Sequence, residues 1–182
     1  MKKIIFIVFI SLIHSSIFAQ ERLLFDKVIR VDSALKKNEI YNSIKEWMGM
    51  NFVSAKNVIE VEDKDAGIII ASPLTDYDYG SLGYLCYSGQ LKYTIKVQIK
   101  DGRFKVEVTN FIHDVNLGNS PYCKLGLITT AEEHTTKGMQ KSYNNKVWAD
   151  IKKKAELIAE NYFTKFESIN FSASSSKNAD VW

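Results

Sequence analysis

Histidine and cysteine are scarce in this chain, with three and two residues respectively among 182. Beyond the first nineteen residues only His113 and His134 remain, far from each other and from Cys86 and Cys123. That scatter lacks the ligand spacing of a zinc site, so no metal and no cofactor is expected. The sequence also lacks an H-E-x-x-H signature, a G-x-S-x-G elbow and a glycine loop that could cradle phosphates. Charge of one sign is short as well: 24 Lys and Arg stand against 21 Asp and Glu, a formal +3. So small an excess says nothing about nucleic acid or membranes, and any cationic feature must be local. No internal repeat is present.

The one sustained apolar run, Ile4 to Ile13, follows Lys2 and Lys3 and precedes small residues at Ser15, Ser16 and Ala19. A membrane span needs roughly twenty apolar residues, whereas a charged start, a short apolar stretch and a small-residue boundary define a secretory signal peptide. Residues 1–19 are therefore expected to be removed, with cleavage after Ala19 or after Gln20. The exported chain then has no stable membrane span and works in the periplasm or outside the cell. Cleavage after Ala19 leaves 163 of the 182 residues and takes two positive charges away, lowering +3 to +1. That length suits one domain, placed at 20–167, followed by a serine-rich tail over 168–182 that is expected to be loose. In an oxidising compartment Cys86 and Cys123 invite pairing, the other reading being two separate buried thiols.

"LLFDKVIRV" at 23–31 reads as a strand. A helix follows, capped by Ser33 or Asn38, whose apolar positions Ile40, Tyr41, Ile44, Trp47 and Met48 recur at spacings of three and four. Gly49 and Asn51 are expected to end it. "NVIEVED" and "AGIIIAS" form a hairpin closed by Pro73. The clearest turn signal is Asp101-Gly102, which suits a two-residue type I′ turn and sets Lys100 opposite Arg103. Counting outward pairs Ile99 with Phe104, Val97 with Val106, Ile95 with Val108 and Tyr93 with Asn110 on a buried face. The other face takes Gln98 with Lys105, Lys96 with Glu107, Thr94 with Thr109 and Lys92 with Phe111. Residues 114–137 read as a long loop, which either hides an irregular strand or is tied back through Cys123. From Ser142 to Phe166 the helical stripe returns. The order strand, helix, about four strands, helix implies an α+β fold, an antiparallel sheet with two helices on one face and the other face open.

The stretches "FDKVIRVD" with "NEIYNSIKEWMGMNF", "VIEVEDKDAGIIIAS" and "LKYTIKVQIKDGRFKVEVTNF" resemble the domain of unknown function 4468 family of exported bacterial proteins, over about residues 23–112. The resemblance implies a TBP-like β-α-β4-α fold with a curved antiparallel sheet. It implies no activity and carries no site residues. Nor does a fold name license nucleic-acid binding, and nucleic acid is not expected as a partner of an exported chain.

Three features are candidates for function. The cationic row Lys92, Lys96, Lys100, Arg103 and Lys105 on the wet face of the hairpin suits an anionic glycan, a phosphate-bearing lipid head or an acidic partner. Its other reading is a solvated face, since Glu107 opposes Lys96 and lysine also protects sheet edges. "TDYDYGSLGYLCY" sets Tyr77, Tyr79, Tyr84 and Tyr87 near Asp76 and Asp78, a combination suited to stacking sugars, or to ordinary packing. "AEEHTT" offers Glu132, Glu133 and His134, which become acid or base only with a geometric partner. The sequence does not disclose a biochemical activity, and the expectation is an exported, non-enzymatic binding or interaction module of the envelope with an unidentified ligand. The alternative is an envelope-polymer hydrolase using carboxylates near the 114–137 loop.

Overall fold

The computed structural model describes residues 21–52, 54–116, 118 and 120–171; the expected signal peptide and the tail beyond Phe171 lie outside them. Strand β1 (Leu24–Arg30) leads into helix α1 (Lys37–Asn51), a single turn α2 (Ala55–Val58) and the hairpin β2 (Ile59–Asp63) and β3 (Ile68–Ala71). Next come β4 (Leu74–Tyr77), β5 (Gly89–Lys100), β6 (Arg103–Val115), the two-residue β7 (Gly126–Leu127) and the long helix α3 (Lys141–Glu167). All strands join one antiparallel sheet in the order β1-β6-β5-β3-β2, with β4 beside β5 and β7 beside β6. The expected α+β architecture holds, with two short strands, β4 and β7, added to it.

Alternation along β5 and β6 builds the core. Ile95, Val97, Ile99, Phe104, Val106 and Val108 are buried, while Lys96, Gln98, Lys105 and Glu107 between them are not. Both helices cover the buried side: Ile40, Tyr41, Ile44 and Met48 of α1 and Val147, Trp148, Ile151, Ala155, Ala159, Phe163 and Phe166 of α3 enter the same cluster. Trp47 meets Phe166 with ring centroids 4.7 Å apart, locking the helices to each other. Packing continues past residue 167, since Ile169 and Phe171 lie on the cluster and Phe171 sits 5.6 Å from the Phe104 ring.

Three local expectations are corrected. The expected register holds from Lys100↔Arg103 to Thr94↔Thr109, but the next pair is Lys92↔Ile112, one residue out of step. A bulge at Asn110 causes this: its φ of 55° lies in the left-handed region that asparagine tolerates better than most residues. The extra residue inverts the alternation, so Phe111 and His113 are fully buried and Ile112 faces out beside Lys92. The turn is also not type I′, which requires positive φ at both central residues: Gly102 has φ 66°, whereas Asn110 is the sole non-glycine with positive φ among the described residues. Finally, neither Ser33 nor Asn38 caps α1. The helix starts at Lys37, whose N–H donates to Asp101 Oδ1 at 2.8 Å, and the Lys36 N–H donates to the Glu39 carboxylate at 2.8 Å. The hairpin tip therefore caps the helix from 64 residues away.

Residues 114–137 contain both features foreseen for them. Strand β7 pairs Leu127 with Ile112 and Gly126 with His113, and Cys123 is bonded to Cys86 with Cα atoms 5.9 Å apart. A disulfide closing a loop of 37 residues stabilises by about 4 kcal/mol in the chain-entropy model.

Two glycines test the packing in opposite directions. A Cβ at Gly89 would lie 2.1 Å from the Asp114 carbonyl oxygen and 2.6 Å from Val115 Cα, both fixed backbone of β6. Gly89→Ala is expected to cost about 2 kcal/mol or more, because strand backbone must separate. Gly49, inside α1 with open space around it, should behave oppositely. Gly49→Ala is expected to add about 0.5–1 kcal/mol. Urea denaturation of both variants measures the two effects, and equal signs would contradict this packing.

Candidate functional site on the open sheet face

The side of the sheet away from the helices can be read in cross-strand rows. Nearest the hairpin tip, Arg30, Arg103 and Lys100 stand abreast on β1, β6 and β5. Val28, Lys105, Gln98 and Ile68 form the next row, and Asp26, Glu107, Lys96 and Ile70 the third. Leu24, Thr109 and Thr94 follow, and beyond the bulge come Leu74, Lys92, Ile112 and Leu127. Apolar side chains remain uncovered here: Leu24 is 51 % exposed, Val28 52 % and Leu74 56 %.

The five predicted cations divide into three kinds. Lys105 reaches Glu107 at 2.8 Å and Asp26 at 3.1 Å; the Glu107 and Asp26 carboxylates raise its pKa above the ordinary lysine value. Lys96 lies 4.0 Å from Glu107. These two are neutralised within the sheet. Lys100 and Arg103 make no ion pair among the described residues, and they share the first row with Arg30, which sequence reading did not single out. Arg30 alternates in phase with Asp26 and Val28, but only the β1–β6 register, a pairing between distant segments, shows that it stands beside Arg103. Lys92 is separate, at the far end of the face.

Two clefts follow from this relief. At the tip end a cavity of about 270 Å³ is lined by Val28, Gln98, Lys100, Arg103, Phe104 and Lys105. At the bulge end a cavity of about 410 Å³ is lined by residues including Arg22, Glu60, Ser72, Lys92, Ile112 and Leu127. Asn110 holds the second in shape: its Oδ1 accepts from Arg22 Nη1 at 3.0 Å, and its Nδ2 donates to Thr94 Oγ1 at 3.3 Å.

The remaining candidates do not assemble a comparable site. Tyr77 and Tyr87 are buried; Tyr77 donates to Asp150 at 2.8 Å, and burial, then that carboxylate, raises its pKa. Tyr79 stacks on Tyr84 at 4.2 Å, with Tyr143 5.4 Å from Tyr84, so these rings cover one another. The Asp78 carboxylate accepts from the Gly80 N–H at 2.9 Å and from Ser88 Oγ at 3.3 Å, while Asp76 lies exposed on β4. Carboxylates near the 114–137 loop do not converge: Asp114 pairs with Lys124 at 2.8 Å and Glu133 with Lys141 at 2.7 Å. Each lysine pulls its partner's pKa below the usual carboxylate range, opposite to what a general acid needs. His134 Nδ1 lies 2.5 Å from Thr136 Oγ1, and its ring packs 5.2 Å from Trp148.

With this geometry in view, similarity to known proteins is specific. Residues 25–114 match the family described as domain of unknown function (DUF4468) with TBP-like fold, so this part of the chain belongs to the family its sequence resembles. A TBP-like protein from Parabacteroides distasonis is similar at TM-score 0.58 and 14% identity, over 82% of this chain and 95% of that one. A DUF4468 family protein from Bacteroides ovatus is similar at TM-score 0.55 and 17% identity, over 86% and 90%. At such identity these two structures speak for the fold alone. No curated protein matches the chain.

His113, brought inside by the bulge, provides a measurable consequence. Its Nδ1 accepts from the Leu125 N–H at 3.2 Å, which leaves the proton on Nε2 to donate to the Tyr87 carbonyl at 2.9 Å. Protonation would set two donors against each other at Nδ1. Burial already pushes the pKa below 6.5. As pH falls below about 6.5, the unfolded chain takes up a proton that the folded chain refuses, so stability is lost towards the depressed folded value. Urea midpoints measured from pH 7.5 to 5 should therefore decline, and His113→Gln should flatten the slope. A midpoint that rises on acidification would contradict the assignment.

Proposed function

Because residues 25–114 belong to a family with a TBP-like fold and no described activity, we propose that the chain is an exported binding module of the cell envelope. It recognises its partner with the open face of the sheet and carries out no chemistry there. The observation that carries this reading is the composition of that face. Leu24, Val28, Leu74, Ile112 and Leu127 stay exposed on the same face as Lys100, Arg103 and Lys92, the side that neither helix covers. Exposed apolar side chains ranged among cations are what a recognition surface for an amphipathic, anionic partner requires. The exported location rests on residues 1–19 and on the disulfide, which suits an oxidising compartment. Among the described residues no helix is long and apolar enough to cross a membrane.

Sedimentation with fractionated bacterial envelope tests the reading. The wild-type chain is expected to pellet with one envelope fraction. Ile112→Asp combined with Leu127→Asp should weaken that association by about tenfold or more, as loss of a central contact does. Leu157→Asp, on the exposed side of α3, should leave it unchanged. No co-sedimentation with any fraction, or equal binding by the open-face and α3 variants, would reject it.

A further inference from the structure

We propose that the Arg30–Arg103–Lys100 row is a binding site for a phosphomonoester group; the proposal rests on the open face being the recognition surface and names what one end of it takes. The register puts Arg103 directly opposite Arg30 on one side and Lys100 on the other. Three cations thus stand abreast on adjacent strands, all exposed, with Ile29, Ile99 and Phe104 buried behind them. Like charges placed directly opposite on a sheet destabilise it. No carboxylate forms an ion pair with this row among the described residues, although Asp101 lines a cleft with Arg30 and Arg103. Asp26 and Glu107 are held by Lys105, and the Asp101 carboxylate takes the Lys37 N–H and lies 3.6 Å from Lys36 Nζ. The fold thus retains an unfavourable arrangement that an anion would turn into a favourable one.

Charge and shape select the anion. A phosphomonoester carries about −1.5 to −2 at neutral pH, against −1 for a carboxylate, and matches three cations more closely. Two guanidinium groups supply planar forks suited to phosphate oxygens. The adjoining cleft of about 270 Å³ adds the Gln98 amide and the half-exposed Val28, so the group esterified to the phosphate meets one polar and one apolar neighbour. A phosphorylated sugar and the head of a phosphate-bearing lipid present the same chemistry.

Calorimetry at low salt with glycerol 3-phosphate, and flotation with phosphatidylcholine vesicles with or without phosphatidic acid, separate these sources. Saturable binding of glycerol 3-phosphate supports the site with a soluble ligand; binding only to vesicles containing phosphatidic acid supports it with a lipid one. In either case Arg103→Gln and Arg30→Gln should each weaken binding about tenfold or more, while Lys153→Gln on α3 should not. Without ligand, Arg103→Gln should melt at or above the wild-type temperature in low salt, because a like-charge contact is removed, so its lost binding cannot be unfolding. The proposal is overturned if neither probe binds, if acetate binds as well as the phosphomonoester, or if both arginine variants bind as wild type does. Envelope sedimentation that persists in those cases would leave the wider reading of the open face standing.

Discussion

The β5–β6 pairing is the constraint on which the rest of the molecule depends. Every other strand except β2 hydrogen-bonds directly to one of these two: β1 and β7 to β6, β3 and β4 to β5. Because successive side chains of an extended strand point to opposite sides, fixing this register decides which residues of the whole sheet meet the helices. The hairpin tip then fixes the first helix. Its Asp101 caps Lys37, and the Gly102 N–H donates to the Leu35 carbonyl at 3.0 Å. A single turn thus orients both the sheet and the helix that lies across it.

Asn110 modifies that constraint and gives the two ends of the open face different chemistry. Without the bulge, strict alternation would leave Phe111 in water and bury Ile112. With it, Phe111 packs 5.5 Å from Tyr93, His113 satisfies Tyr87 and Leu125, and Ile112 joins Leu127 and Leu74 outside. The backbone conformation is unfavourable for most residues, and here the side chain compensates by bonding both Arg22 and Thr94. The distal end of the face therefore gains an apolar row, Leu74, Ile112 and Leu127, among polar neighbours, while the tip end is mostly cationic.

Legibility in the sequence followed the range of the interaction responsible. The apolar stripes of α1 and α3 and the alternation between Gly102 and the bulge are local patterns, and each could be counted directly. Hidden were the features fixed by distant partners: the Asp101 cap on α1, the pairing of β7 with β6, and the neighbourhood of Arg30 and Arg103. The bulge had no sharp local signal either, since Asn110 carries no glycine and sits within an unbroken strand-like run. For the same reason, a row of five cations counted along one hairpin separated in space into two neutralised lysines, one distal lysine and two members of a different triad.

Stability and the surface features proposed for recognition occupy opposite sides of one sheet. The covered side contains the entire apolar cluster, including both helices and the ring contacts that join them. On that side a change of one methyl group alters close packing. The open side holds what a sheet stabilised for its own sake would discard: cations abreast, uncovered leucine and isoleucine, and a residue at positive φ. Natural chains keep such features where the surrounding structure can carry their cost, and a sheet whose central strands β5 and β6 are paired on both sides over a dense core can do so. Substitutions on the open face are therefore expected to have little effect on folding, so the recognition proposed for it can be tested apart from stability, a separation that a site built into the core could not have.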